Sequence, residues 1–146
     1  VDRFIGFRKA MDEFGIPFTP EQRLTSRLGD HTGLFTGLRA LFSGREKPTA
    51  LFIHDDYFAA RVVAELSGMG LRVPSDVSII APGDVLDYGE PFVPRITTMR
   101  INTSLMGQIS ADLILNRLTH NPEDIHVLKV KQQLVDRGSC RKLGRS

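Results

Sequence analysis

The chain has 146 residues, 41% of them hydrophobic, and its 19 Lys and Arg nearly balance 17 Asp and Glu, for a formal charge of +2. That size fits one compact domain, and a mean hydropathy of −0.11 is too high for intrinsic disorder. No apolar run approaches the roughly 18 residues of a membrane-spanning helix, and the charge is too small to argue for direct nucleic-acid binding.

Phe4, Phe7, Met11 and Phe14 recur at spacings of three and four, which predicts a helix with those residues on its core face, stopped by Gly15 and Pro17. A turn-rich stretch leads to residues 22–28, read as a short strand. Leu34, Leu38, Leu41 and Phe42 predict a second helix closed by Ser43 and Gly44. Residues 49–53 form an apolar run after Pro48, as expected of a strand buried on both faces of a parallel sheet. Next comes a helix with Phe58, Val62, Leu66 and Met69 on its core face, opened by Asp55 or Asp56 as N-cap. Residues 77–81 predict a second buried strand, and the loop from Pro82 to Pro94 is long enough to be functional. Arg95 to Ile101 predicts a strand, Leu105, Ile109 and Leu113 a helix ended by Asn121-Pro122, and His126 to Val135 a last strand. The fold class is therefore α/β with a largely parallel sheet flanked by helices, and a ligand is expected at the carboxyl ends of the strands.

The single cysteine, Cys140, excludes an internal disulfide and favours the cytoplasm. Arg137, Arg141, Lys142 and Arg145 cluster at the tail and read as a fraying terminus. The chain opens on Val1 inside a helical pattern, without initiator methionine or leader, and reads as a piece of a longer protein.

No nucleophile–base set, metal cage or phosphate cradle is spaced for catalysis, so no enzyme, cofactor or metal is expected. Gly68-Met69-Gly70 closes a helix instead of opening one after a strand, which excludes a dinucleotide fingerprint. His54, Asp55 and Asp56 are adjacent at a strand-to-helix turn and cannot all converge on one ion. One carboxylate caps the helix; the other is free to accept hydroxyls of a polar small molecule. His31, in a Gly-Asp-His-Thr-Gly turn, is either a solvent-facing residue or a cleft contact, and His120 and His126 have no partner pattern.

The order of motifs, however, is distinctive: Arg3-Phe4-Ile5-Gly6-Phe7, then Pro48 to Asp56, then Gly70 to Ile80, then Ile96-Thr97-Thr98-Met99-Arg100 and a closing Gln133 to Ser139. It resembles the effector-binding domain of the LacI/GalR family of bacterial transcriptional regulators over nearly the whole chain. The resemblance implies a periplasmic-binding-protein-like (type I) fold, mainly its C-terminal lobe: about 1–98 in that lobe, about 103–130 an element of the N-terminal lobe, and about 131–146 a return strand and tail. It implies a small-molecule effector (sugar-like, nucleobase or small anion) between lobes, shifting DNA affinity in a homodimer, with operator DNA read only by a helix-turn-helix headpiece absent from this sequence. A periplasmic sugar-binding protein of a transport system is the alternative.

By the same resemblance, Arg3, His31 or Thr32, Asp55 and Thr103 line the cleft, while Ala60 and Phe92 lie in the dimer interface. The sequence departs from the family after Ile80. Gly83 stands where relatives carry a ligand-binding aspartate, and Asp84 is the residue available to substitute for it. Without an acceptor there, an ordinary sugar leaves a hydroxyl unpaired, at a cost of about 1–3 kcal/mol.

Overall fold

The computed structural model describes residues 2–25, 31–120 and 127–143. In chain order the elements are α1 (Asp2–Glu13), a 3-10 turn (Pro20–Gln22), α2 (Thr32–Ser43), β1 (Ala50–Phe52), α3 (Asp56–Gly68), β2 (Ser78–Gly83), β3 (Thr97–Arg100), α4 (Thr103–His120) and β4 (Gln133–Val135). The four strands form one sheet in the order β1-β2-β3-β4, the first three parallel and β4 antiparallel to β3. Ile80 pairs with Phe52 on one side and Thr97 on the other. The carboxyl ends of β1, β2 and β3 consequently share one edge.

Helix α3 shows how the local sequence selects the fold. Asp55, in extended backbone, accepts the Phe58 amide at 2.6 Å and so caps an otherwise unpaired helix start. Phe58, Ala59, Val62 and Leu66 then fall on one stripe and are buried against Ile53, Val77, Ile79, Ala81 and Ile96 of the sheet side. Each large apolar side chain contributes about 1.5–3 kcal/mol by leaving water. Leu38 and Phe42 of α2 complete the core. At the far side Ser139 is buried between strands: its Oγ donates to Ile79 O at 2.6 Å and accepts the Thr97 amide at 2.7 Å.

Several expectations change. Residues 49–53 are not buried on both faces; β1 is the edge of the described sheet, and Phe52 is 41% exposed because only β2 pairs with it. Helix α1 partly covers this edge, with the Phe7 ring stacked on Phe52 at a 5.4 Å centroid distance. Phe14 lies past the end of α1 and is exposed, since Gly15 at φ +62° turns the chain there. The predicted strand 22–28 does not form over its described part: Thr19, Pro20 and Gln22 close a 3-10 turn, with the Thr19 amide donating to Gln22 Oε1, and 26–28 lie outside the described residues. The predicted strand 126–135 is reduced to Gln133–Val135, its ladder ending where Arg100 pairs with Gln133; His126 lies outside the described residues. Nor do Arg137 and Arg141 of the basic tail cluster fray. Arg137 is 8% exposed at its side chain, and Arg141 donates to Pro74 O and Ser78 Oγ; Arg145 lies outside the described residues.

Candidate functional site

The site grows from the ends of the parallel strands, where backbone direction changes and side chains emerge into a crevice. At the tip of β1, Arg3 of α1 donates from Nη1 to the His54 carbonyl, fixing helix to strand end. His54 Nε2 lies 2.7 Å from Asp55 Oδ2, while Asp55 Oδ1 holds the Phe58 amide. Both Asp55 oxygens are thus engaged within the chain. The rings of His31 and His54 pack on Phe58, with centroids at 5.0 and 5.3 Å, and Phe35 stacks on it at 5.8 Å. His31 Nδ1 is buried with no hydrogen-bond partner. Thr32 opens α2 directly beside it, its carbonyl accepting from Thr36 Oγ1. Arg3, His31 and Asp55 therefore gather around one strand tip.

The second strand tip is tied to the first by Asp56, which is neither the cap, a role Asp55 fills, nor the free hydroxyl acceptor expected beside it. Asp56 is completely buried, and its Oδ2 accepts the amides of Val85 and Leu86 at 2.8 and 3.1 Å and the Tyr88 hydroxyl at 3.1 Å. Its Oδ1 has no donor and lies beneath Gly83. A Cβ at position 83 would stand 2.4 Å from that oxygen, and Gly83 has φ +132°, a backbone region that side chains disfavour. Glycine is therefore demanded at position 83 by the buried carboxylate underneath it.

Asp84 follows with φ +84° and turns inward. Its Oδ1 accepts from Thr98 Oγ1 and Arg137 Nη2, both at 2.6 Å, and its Oδ2 from Arg100 Nε. Burial alone would raise this carboxyl, but the hydrogen bonds from Thr98, Arg100 and Arg137 hold it below the usual carboxylate range. The Arg137 guanidinium also stacks 3.6 Å over the Tyr88 ring. Burial, and then the Asp56 charge, pushes the Tyr88 phenol well above its ordinary value, so the hydroxyl stays a donor. Asp84, the expected substitute acceptor, is a structural tie between β2, β3 and the segment after β4.

Thr103 is exposed at the start of α4, on the wall of a cavity of about 430 Å³ that it shares with Arg100, Asn102, Ser104, Lys131 and Gln133. Asn102 Oδ1 accepts the Leu105 amide and caps the helix. Of the two expected interface residues, Ala60 is half-buried against the core and Phe92 is 79% exposed. The reading from sequence missed Asp56, Arg100 and Arg137. The one local signal was the glycine at position 83, which from sequence reads as a missing ligand group and not as a close approach.

This architecture sets polar groups along the carboxyl edge of a mostly parallel sheet, the edge where open α/β folds carry their ligand sites. The model of the periplasmic binding protein-like domain matches residues 1–140, and the chain belongs to that family. Over its matched length it corresponds to the effector-binding domain of LacI-type regulators. The HTH-type transcriptional repressor PurR of Pectobacterium atrosepticum is 30% identical over 137 residues, 94% of this chain and 40% of the relative. A LacI family transcriptional regulator from Enterococcus faecium, solved with bound ribose, is 26% identical at a TM-score of 0.74, covering 97% of this chain and 52% of that one. A LacI-type regulator structure from Bacillus cereus shares the fold at a TM-score of 0.81 and 24% identity, over 96% of this chain and 49% of that chain. The chain thus spans about 40% of the length of the curated relative it matches. These relatives are transcriptional regulators, not enzymes. Among the described residues no helix is long and apolar enough to cross a membrane.

Proposed function

We propose that this chain is the effector-sensing and dimerising part of a LacI-type transcriptional regulator working in the cytoplasm without catalytic activity. The carrying observation is the gathering of Arg3, His31, His54 and Asp55 at the tip of β1, joined through buried Asp56 to the loop after β2. A small molecule bound along that edge meets groups from α1, α2, α3 and both strand tips, so it is sensitive to how these elements sit together. The Enterococcus faecium relative, solved with ribose, supports a small polar effector.

In this reading residues 1–98 belong to the lobe described, α4 packs with a second lobe, and residues 131–146 return to the first. The surface of α4 supports this: Leu105, Ile114, Leu115 and Leu118 are all at least 39% exposed on a helix with no buried residue. An effector with 100-fold preference for one lobe arrangement shifts the balance by about 2.7 kcal/mol. The headpieces of a dimer, joined through the face carrying Ala60 and Phe92, then change their spacing on operator DNA.

A thermal-shift screen of sugars, nucleobases and small acids tests the site, followed by Asp55→Ala and Arg3→Gln. A compound that raises the melting temperature of the parent chain, and loses that effect in both variants, is the expected result. Stabilisation that persists in both variants removes the β1 tip from the binding site.

A further inference from the structure

Phe92 is exposed near the end of the loop that joins β2 to β3. An apolar side chain on a loop makes a firm contact only where its backbone is already held, because ordering a loop at the moment of association costs conformational entropy. The hydrogen bonds show what holds this one. The Glu90 amide donates to the Asp87 carbonyl, the Val93 amide to the Glu90 carbonyl and the Gly89 amide to Asp87 Oδ1, so residues 87–93 are two successive turns closed on themselves. Between Val85 and Val93 the donors that reach out of the loop, among the described residues, are the Val85 and Leu86 amides and the Tyr88 hydroxyl. All three end on Asp56 Oδ2.

Tyr88 is the last of these ties before Phe92. Its hydroxyl is, among the described residues, the one side-chain donor to the buried Asp56 carboxylate, and its ring lies under the Arg137 guanidinium at 3.6 Å. Its carbonyl accepts Arg95 Nη1 at 3.4 Å from beyond the far end of the turns. Burial first, and the Asp56 charge second, keep the phenol protonated and therefore a donor. Asp56 itself belongs to α3, the helix that carries Ala60. The Tyr88–Asp56 bond thus joins the loop bearing one expected interface residue to the helix bearing the other.

We infer that Tyr88 is a positioning residue for self-association, its hydroxyl bond to Asp56 holding the Phe92 turn in register with the Ala60 face of α3, where a second copy docks. This rests on the dimer reading above, and the test keeps the two apart. Sedimentation equilibrium of the full chain gives the dimer dissociation constant for the parent, Tyr88→Phe, Phe92→Ala and the double variant. Tyr88→Phe keeps a ring beneath Arg137 and removes only the hydroxyl. It is expected to weaken the dimer about fivefold, the worth of one ordinary hydrogen bond. Added to Phe92→Ala it is expected to change the constant by less than about twofold, because both changes act on one contact. Val77→Ala, a core truncation beside the opposite end of β2, is expected to lower the melting temperature and leave the constant within about twofold. If Tyr88→Phe has no effect on a dimer that Phe92→Ala weakens, or adds its full effect to Phe92→Ala, the positioning role is overturned and the dimer face stands. Equal weakening by Val77→Ala reduces the effect to lost stability and also overturns it. A parent chain that is monomeric, or a dimer that Phe92→Ala leaves intact, overturns the dimer face and this inference together.

Discussion

At the scale of single residues, the most constrained position is Gly83. Its φ of +132° and the 2.4 Å clearance to Asp56 Oδ1 mean that any side chain must displace a fully buried carboxylate or bend the strand end. Gly83→Ala is expected to cost about 2–4 kcal/mol, read as a lowered urea midpoint with unchanged slope. Asp55→Ala removes the α3 cap and is expected to cost only about 1 kcal/mol. Asp84 makes a prediction about pH. Its folded-state carboxyl is held low by Thr98, Arg100 and Arg137, so the unfolded chain binds its proton at a higher pH than the folded one. The stabilisation is therefore complete above the unfolded value of about 4 and is lost as pH falls below it through the folded value. Thermal melts between pH 7 and pH 3 are expected to show a steeper acid loss in the parent chain than in Asp84→Asn, which starts lower and is flatter.

At the scale of elements, α1 and the β1 edge depend on each other. The helix adds no residue to the buried core; it is held by the Phe7 ring on Phe52, by Phe18 edge-on to Phe7 at 5.0 Å, and by Arg3 on the His54 carbonyl. Phe52→Ala removes the ring on which the helix lies, while leaving the β1–β2 ladder, which is made by backbone atoms. Hydrogen exchange in residues 4–13 is expected to accelerate at least tenfold, with α3 amides near Val62 and Leu66 little changed. Because Arg3 comes from the same helix, effector affinity should fall with it. Uniform acceleration through α3 would show that α1 is part of the cooperative core.

At the scale of the whole molecule, several large apolar side chains among the described residues are exposed. Tyr57, Val85 and Phe92, from the start of α3 and the long loop, are 66, 72 and 79% exposed. Isolated apolar side chains on a surface are ordinary, but this set includes Phe92 of the expected dimer face. Phe92→Asp is expected to shift sedimentation equilibrium from dimer toward monomer while leaving the far-ultraviolet dichroism unchanged. A dimer that tolerates Phe92→Asp places the interface elsewhere.

The amphipathic spacing of Phe58, Val62 and Leu66 and the apolar runs at 49–53 and 77–81 were enough to determine an α/β chain with a largely parallel sheet, because periodicity and local caps act over a few residues, while the family was legible only through the resemblance of its ordered motifs, that from Leu71 to Ile80 above all. The gathering of Arg3, His31 and Asp55 was legible only through the resemblance. What the tertiary structure alone decided is how the polar groups are spent. Nothing local marks Arg137 as nearly buried beneath Tyr88 and Asp84, since its partners lie 39 or more residues away in sequence. Likewise, Gly83 reads as a missing ligand group until Asp56 is placed beneath it. Hydrogen-bond satisfaction depends on distances between remote segments, and those distances exist only once the chain has folded.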